Sequence, residues 1–247
     1  MIKRLLFILA LFRSLGIYSQ YTFYHGYIGN QSIKLITLNS SGNFITGIYS
    51  YDKYNTPIEF HGSFKQDTMV LYENYIWNKY DWDKYNAIIK FDNFDIHNKK
   101  LVGKWINQSQ TKELSILILK DTTIDPSNVQ IDSLELLQSA STKEDYFKIL
   151  ITNYGNGAKV FGVKVYSKRK NEMKQEILFD DDIDLRMFGN VSVDDYNNDG
   201  IEDFAILVPD NNGNNPTGTC YIRKGEKYFG NDCSFDPIPI HCIYTEF

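Results

Sequence analysis

The stretch Asp195-Tyr196-Asn197-Asn198-Asp199-Gly200-Ile201-Glu202-Asp203 reads D-x-N-x-D-G-x-x-D. Four oxygen-bearing side chains stand at near-alternate positions around one glycine, which is how a short loop wraps a hard cation that takes six to eight oxygen ligands. Asp195, Asn197 and Asp199 are expected to point inward, Ile201 to add its carbonyl and Asp203 to close the cage. Gly200 permits the sharp turn, because glycine tolerates φ > 0. A helix–loop–helix calcium site would need a bidentate Glu at the twelfth position; counted from Asp195 the twelfth residue is Ile206. The flanks, Val191-Ser192-Val193 and Phe204-Ala205-Ile206-Leu207-Val208, are β-prone, so the loop is predicted to join strands. The competing reading is a plain turn, since Asp, Asn and Gly build turns without any metal.

The rest of the chain repeats the β signal. Short alternating runs are separated by Gly, Asn, Asp and Ser, and aromatics make up 15 % of the 247 residues, with 18 Tyr and 16 Phe. That is an all-β pattern. Ile33–Leu38, Phe44–Tyr51, the alternating Ala87, Ile89 and Phe91, and Leu114, Ile116 and Ile118 give an N-terminal antiparallel meander over 20–120. A G-x-aromatic echo recurs at Gly47-Ile48-Tyr49, Gly62-Ser63-Phe64 and Gly103-Lys104-Trp105. Glycine in a strand lets a neighbouring aromatic ring lie over it. The segment Asp121–Ser127, with Pro126, marks a boundary. Beyond it, 121–247 is expected to form a second β domain with a strand, or alternatively a short helix, at Val129–Leu137, strands at Tyr146–Thr152, Lys159–Ser167, Glu176–Phe179 and Phe204–Val208, and a hairpin Cys220–Tyr228 across Gly225. Pro237 and Pro239 keep the tail out of a central strand.

At the N-terminus, basic Lys3-Arg4, the apolar run Leu5–Phe12 and the small-residue region ending at Ser19 have the three-part design of a secretory signal. The run is too short to span a bilayer, which takes about 20 residues. Cleavage after Ser19 would leave 228 residues and, with Lys3, Arg4 and Arg13 gone, move the formal net charge from −5 to −8. Such acidity disfavours nucleic acid and anionic membrane and favours basic partners. Localisation is therefore expected to be periplasmic or secreted. Cys220, Cys233 and Cys242 then allow one disulfide. Cys220–Cys233 would staple the hairpin, and Cys233–Cys242 would clip the tail.

Catalytic signatures do not emerge. His25, His61, His97 and His241 form no local metal or acid–base pattern. There is no nucleophile elbow, phosphate loop or dinucleotide fingerprint, and nothing singles out Glu59, Glu73, Asp81 or Asp83 as a catalytic pair. The chain reads as a binding protein, not an enzyme. The aromatic stretch from Tyr72 to Tyr85 offers Tyr75, Trp77, Tyr80 and Trp82 as partner-binding candidates, with a core role for half the rings as the alternative. The run Asp180–Asp184 is expected to be a solvated turn, a further source of metal ligands, or an acidic face.

The D-x-N-x-D-G-x-x-D loop followed by Phe204-Ala205-Ile206-Leu207 resembles the calcium loop of FG-GAP-type repeats. A full propeller would carry several such loops at regular spacing; this chain has one. The combination of signal, β half and a single calcium loop is closer to periplasmic immunity proteins of antibacterial type IV secretion systems. That resemblance implies a propeller-like C-terminal sheet, bound Ca2+ on Asp195, Asn197, Asp199, the Ile201 carbonyl and Asp203, and inhibition of a lysozyme-like hydrolase that cuts peptidoglycan. A cell-surface adhesion or glycan-binding module is the alternative, and a calcium-dependent hydrolase a third.

Overall fold

A computed structural model describes residues 20–39, 42–73, 85–95, 97–126, 129–155, 157–208 and 217–231. Every regular element among them is a β-strand, and all pairings are antiparallel. The first eight strands are β1 (Gln20–Ile28), β2 (Gln31–Asn39), β3 (Phe44–Tyr51), β4 (Ile58–Lys65), β5 (Thr68–Glu73), β6 (Ala87–Asp92), β7 (Lys100–Asn107) and β8 (Glu113–Ile124). The expected antiparallel meander is present and closes into a barrel, because β1 pairs with β8 as well as with β2, from Tyr21↔Ile124 to Ile28↔Ile116. Closure leaves no unpaired edge.

Period-two alternation fills the barrel. Leu35, Ile45, Tyr49, Phe60, Leu71, Ile89, Phe91 and Ile116 form its interior. A void of about 10 Å³ remains beside Thr22, Thr37 and Asn39, room for about one water and nothing larger. The G-x-aromatic echo has a physical reading at two sites. A Cβ on Gly47 would lie 2.4 Å from Cζ of Phe60 and 2.3 Å from the Ile36 carbonyl, and one on Gly103 would lie 2.7 Å from Phe91. Each glycine makes room for a neighbouring ring. Gly47→Val is therefore expected to destabilise by about 1–3 kcal/mol through overpacking, measured by urea denaturation. Unchanged stability would show that the barrel wall yields freely.

Glu73 ends β5 as a buried carboxylate at the barrel rim. Its Oε2 accepts hydrogen bonds from the Tyr49 hydroxyl at 2.8 Å and from Nε1 of Trp105 at 2.7 Å. Burial first, and the adjacent Glu73 charge second, push the Tyr49 hydroxyl pKa up.

β8 runs to Ile124, and the crossing to β9 (Ile131–Ser141) begins at Asp125. β9 leads into β10 (Asp145–Asn153), β11 (Lys159–Ser167) and β12 (Met173–Asp184), a four-stranded sheet in the order β12-β11-β10-β9. β13 (Val191–Asp194), β14 (Asp203–Val208), β15 (Thr217–Lys224) and β16 (Lys227–Asn231) form a second, in chain order. The expected propeller-like sheet is thus corrected to two sheets sharing one core; a propeller needs about four or more blades. Phe147 of β10 meets Phe204 of β14 at 4.7 Å between ring centroids, and Tyr228 of β16 lies edge-on to Phe204 at 4.9 Å. Tyr21, Ile36, Leu38 and Ile48, facing outward from the barrel, belong to the same cluster. The barrel therefore closes one side of the sandwich's core, and the buried run Leu35–Leu38 follows from having both faces covered.

The remaining edges are blunted. The Gln175 side chain donates to the Tyr228 carbonyl and accepts from the Tyr228 N–H, both at 2.8 Å, standing in for a further strand beside β16. Residues 187–190 cover β9, with Ser139 N–H on the Phe188 carbonyl and Asn190 N–H on Oε1 of Gln138. On β12, Phe179–Asp182 stand opposite Phe161 alone, a wide bulge that turns Phe179 to the core and leaves Asp180, Asp181 and Asp182 exposed. A charged bulge on an edge strand discourages pairing with another chain. Asp184 is ion-paired with Lys159.

Candidate metal loop

The loop leaves β13 at Asp194 and re-enters the sheet at Asp203, the first residue of β14, with Asp194↔Asp203 as the closing pair. Strands therefore flank it, as its β-prone borders predict. Asn198 and Gly200 take the left-handed conformation, with φ of 58° and 84°; Gly200 meets the demand of the turn without a Cβ.

The loop folds on its own side chains. Asp195 accepts the Asp199 N–H on Oδ1 at 2.9 Å and the Gly200 N–H on Oδ2 at 2.7 Å. Asn197 accepts the Asp199 N–H at 3.0 Å and donates to Oδ2 of Asp199 at 2.8 Å. Asp199 accepts the Ile201 N–H at 2.8 Å. These bonds occupy one lone pair per oxygen and leave others to accept or ligate. Among the described residues no three of His, Cys, Asp or Glu converge as a ready-made metal cluster. The carboxylates of Asp195 and Asp199 face their own loop's N–H groups.

Asp203 differs from them. It is 0 % exposed; Oδ1 accepts the Arg223 N–H at 2.7 Å, while Oδ2 makes no hydrogen bond. Burial pushes its pKa up, opposed by the N–H groups of Arg223 and Tyr196 and reinforced by the negative charges of Asp199 and Asp195. A buried, unsatisfied carboxylate oxygen in a loop that carries two further carboxylates is costly unless something positive offsets it. The donors are all oxygens, which fits a calcium-like ion and not zinc. Asp195, Asn197, Asp199, Asp203 and the Ile201 carbonyl are the groups that would hold it.

Other chemistry-bearing residues are scattered. His25 is exposed and bonded to Asp121, and His97 lies in an exposed turn whose N–H is capped by Asp95. Tyr75, Trp77, Tyr80, Trp82 and His241 lie outside the described residues, as do the N-terminal 19. The stretch 74–84 connects β5 to β6, and at its borders Tyr72 and Tyr85 meet edge-on at 5.4 Å. No helix of the described residues is long and apolar enough to cross a membrane. Cys220 is disulfide-bonded, with its partner outside the described residues. The alternative that made Cys220 the leftover thiol is therefore overturned.

Two polar clusters escape sequence reading because residues of different strands build them. On the open face of the first sheet, Glu135 of β9 is paired with Lys148 and Lys164, both at 2.8 Å. Burial alone would raise its pKa; the hydrogen bonds and charges of the two lysines outweigh that and hold it at about 2. A carboxylate depressed in the folded state stabilises above its unfolded pKa and loses that contribution as pH falls. Between about pH 4.5 and 2, the wild type is expected to lose about 1 kcal/mol that Glu135→Gln does not, the figure being discounted for the partly solvated side chain. Parallel acid-unfolding curves for the two proteins would contradict the assignment.

The second cluster is the turn between β9 and β10. Asp145 is 0 % exposed and holds Lys174 at 2.9 and 3.0 Å, and the Tyr228 hydroxyl at 2.9 Å. Glu144 pairs with Arg223, and the Lys143 N–H donates to Oε2 of Glu202 at 2.6 Å. No protein-family model matches the chain, and searches of curated proteins and of solved structures return no match.

Proposed function

We propose that this chain is an exported binding protein in which the Asp195–Asp203 loop holds one calcium ion in a structural role. The observation that carries the metal reading is the buried, unpartnered Oδ2 of Asp203, at the end of the same short loop that carries Asp195 and Asp199. Calcium outside the cytoplasm is abundant enough to fill weak oxygen-only sites, and the disulfide at Cys220 belongs in an oxidising compartment. Both support a periplasmic or secreted location.

The partner proposed is a lysozyme-like, peptidoglycan-degrading hydrolase, which the chain neutralises in the manner of the immunity proteins its loop resembles. The acidic net charge of −5, or −8 after cleavage at Ser19, supports this, because opposite charge speeds encounter with a basic enzyme. The test is a muramidase assay with the calcium-loaded protein added up to stoichiometric excess. Inhibition with one-to-one complex formation on a sizing column is expected. Undiminished activity across several muramidases would remove the inhibitor role and leave the metal site standing.

A further inference from the structure

Resting on the metal reading, we infer that calcium acts as a latch between the two sheets, and that loading the loop tightens the Thr142–Asp145 turn of the opposite sheet. Two consecutive residues at the loop's exit reach that turn by separate routes. Glu202 accepts the Lys143 N–H at 2.6 Å. Asp203 accepts the Arg223 N–H at 2.7 Å, and the Arg223 guanidinium pairs with Glu144. The route runs from the loop through β15 to the β9–β10 turn, all of it hydrogen-bonded or ion-paired.

The receiving turn is built to register such a change. Thr142 Oγ1 accepts the Asp145 N–H at 2.9 Å and the Glu144 N–H at 3.3 Å. The Lys168 amine donates to the Thr142 carbonyl and to Ser141 Oγ, and the Lys168 N–H donates to the Glu144 carbonyl at 2.8 Å. Asp145 carries Lys174 and Tyr228. The loop exit, β12, β15, β16 and the β11–β12 turn thus meet at four residues.

Without a cation, the charges of Asp195 and Asp199 act against that of Asp203, and a slight loosening of the loop exit relieves the repulsion. That movement takes Glu202 off Lys143 and slackens Arg223. With the cation, the exit is fixed and both ties are made. A segment whose order depends on an ion that binds only its closed form is coupled to that ion by linkage. The Thr142–Asp145 turn would then be fully tied to the loop only where calcium is plentiful, as it is outside the cytoplasm.

Amide hydrogen exchange of the full chain, with and without calcium, tests the latch alongside calorimetric titration of the metal. Calcium is expected to slow exchange at Lys143 and Arg223 by about tenfold or more. In Glu202→Ala, the slowing should survive at Arg223 and vanish at Lys143, with calcium heat still present. Calcium heat without any slowing at Lys143 would overturn the latch and leave the metal site intact. Absence of calcium heat in the folded wild type would overturn both.

Discussion

Lys174→Met is expected to lose about 3–5 kcal/mol of folding stability. The reason is the carboxylate it leaves behind. Asp145 is fully buried and both of its oxygens accept from the Lys174 amine, which is itself 14 % exposed. Removing one member of a buried pair strands the other charge in a low-dielectric site, which costs about 3–5 kcal/mol. The Tyr228 hydroxyl remains on Oδ2 but supplies no charge. Pairing Lys174→Met with Asp145→Asn should recover much of the loss, because swapping a whole buried pair for neutral groups is often near neutral. Urea denaturation of both single variants and the double gives the coupling directly. A single-variant cost below about 1 kcal/mol would mean that water reaches Asp145 and that the turn is less closed than its hydrogen bonds imply.

The second large effect is that of calcium. A ligand that binds only the folded state adds about 2.7 kcal/mol at a free concentration 100 times its Kd. For a chain of this size that corresponds to a rise of roughly 5–10 °C in Tm. Asp203→Asn removes one of the three repelling carboxylates while keeping the side chain's size. In chelator, its neutral amide relieves the repulsion and should leave Tm equal to or above that of the wild type. In calcium, the variant should gain almost nothing. This crossing of the two proteins separates a metal ligand from a merely structural aspartate, which would be worse in both conditions. Arg223 contributes through its backbone N–H, so side-chain variants there leave the Asp203 contact in place.

The strands and the loop were legible in the sequence because their signals are local. Alternation in Ala87, Ile89 and Phe91 marks one face of β6, and all three are buried. Gly47 and Gly103 announced close ring contacts, which Phe60 and Phe91 supply. The spacing of Asp195, Asn197, Asp199 and Gly200 gave a turn that re-enters a strand at Asp203. Closure of the barrel was not legible. It depends on β1 meeting β8 across about a hundred residues, which stagger and tilt decide and no local pattern encodes. The propeller expectation failed for the same reason, since four-stranded sheets look alike in sequence whether two stack or several ring an axis.

The distinguishing property of the loop was also hidden. Nothing in D-x-N-x-D-G-x-x-D tells the last aspartate from the first, yet Asp203 is enclosed while Asp195 is half-buried and Asp199 exposed. Its burial comes from β15, twenty residues on, through Arg223. Glu202 and Lys143 lie 59 residues apart and share no motif. The acidic run Asp180–Asp182 was ambiguous in sequence; the register shift against Val160 and Gly162 turns it into an edge-guarding bulge.

Calorimetric titration of calcium into chelator-stripped, folded protein addresses the central claim most directly. One ion per chain is predicted, with the heat abolished or the affinity lowered by more than tenfold in Asp203→Asn. A folded wild type that takes up no calcium at millimolar concentration, or an Asp203→Asn variant that binds it unchanged, would contradict the account.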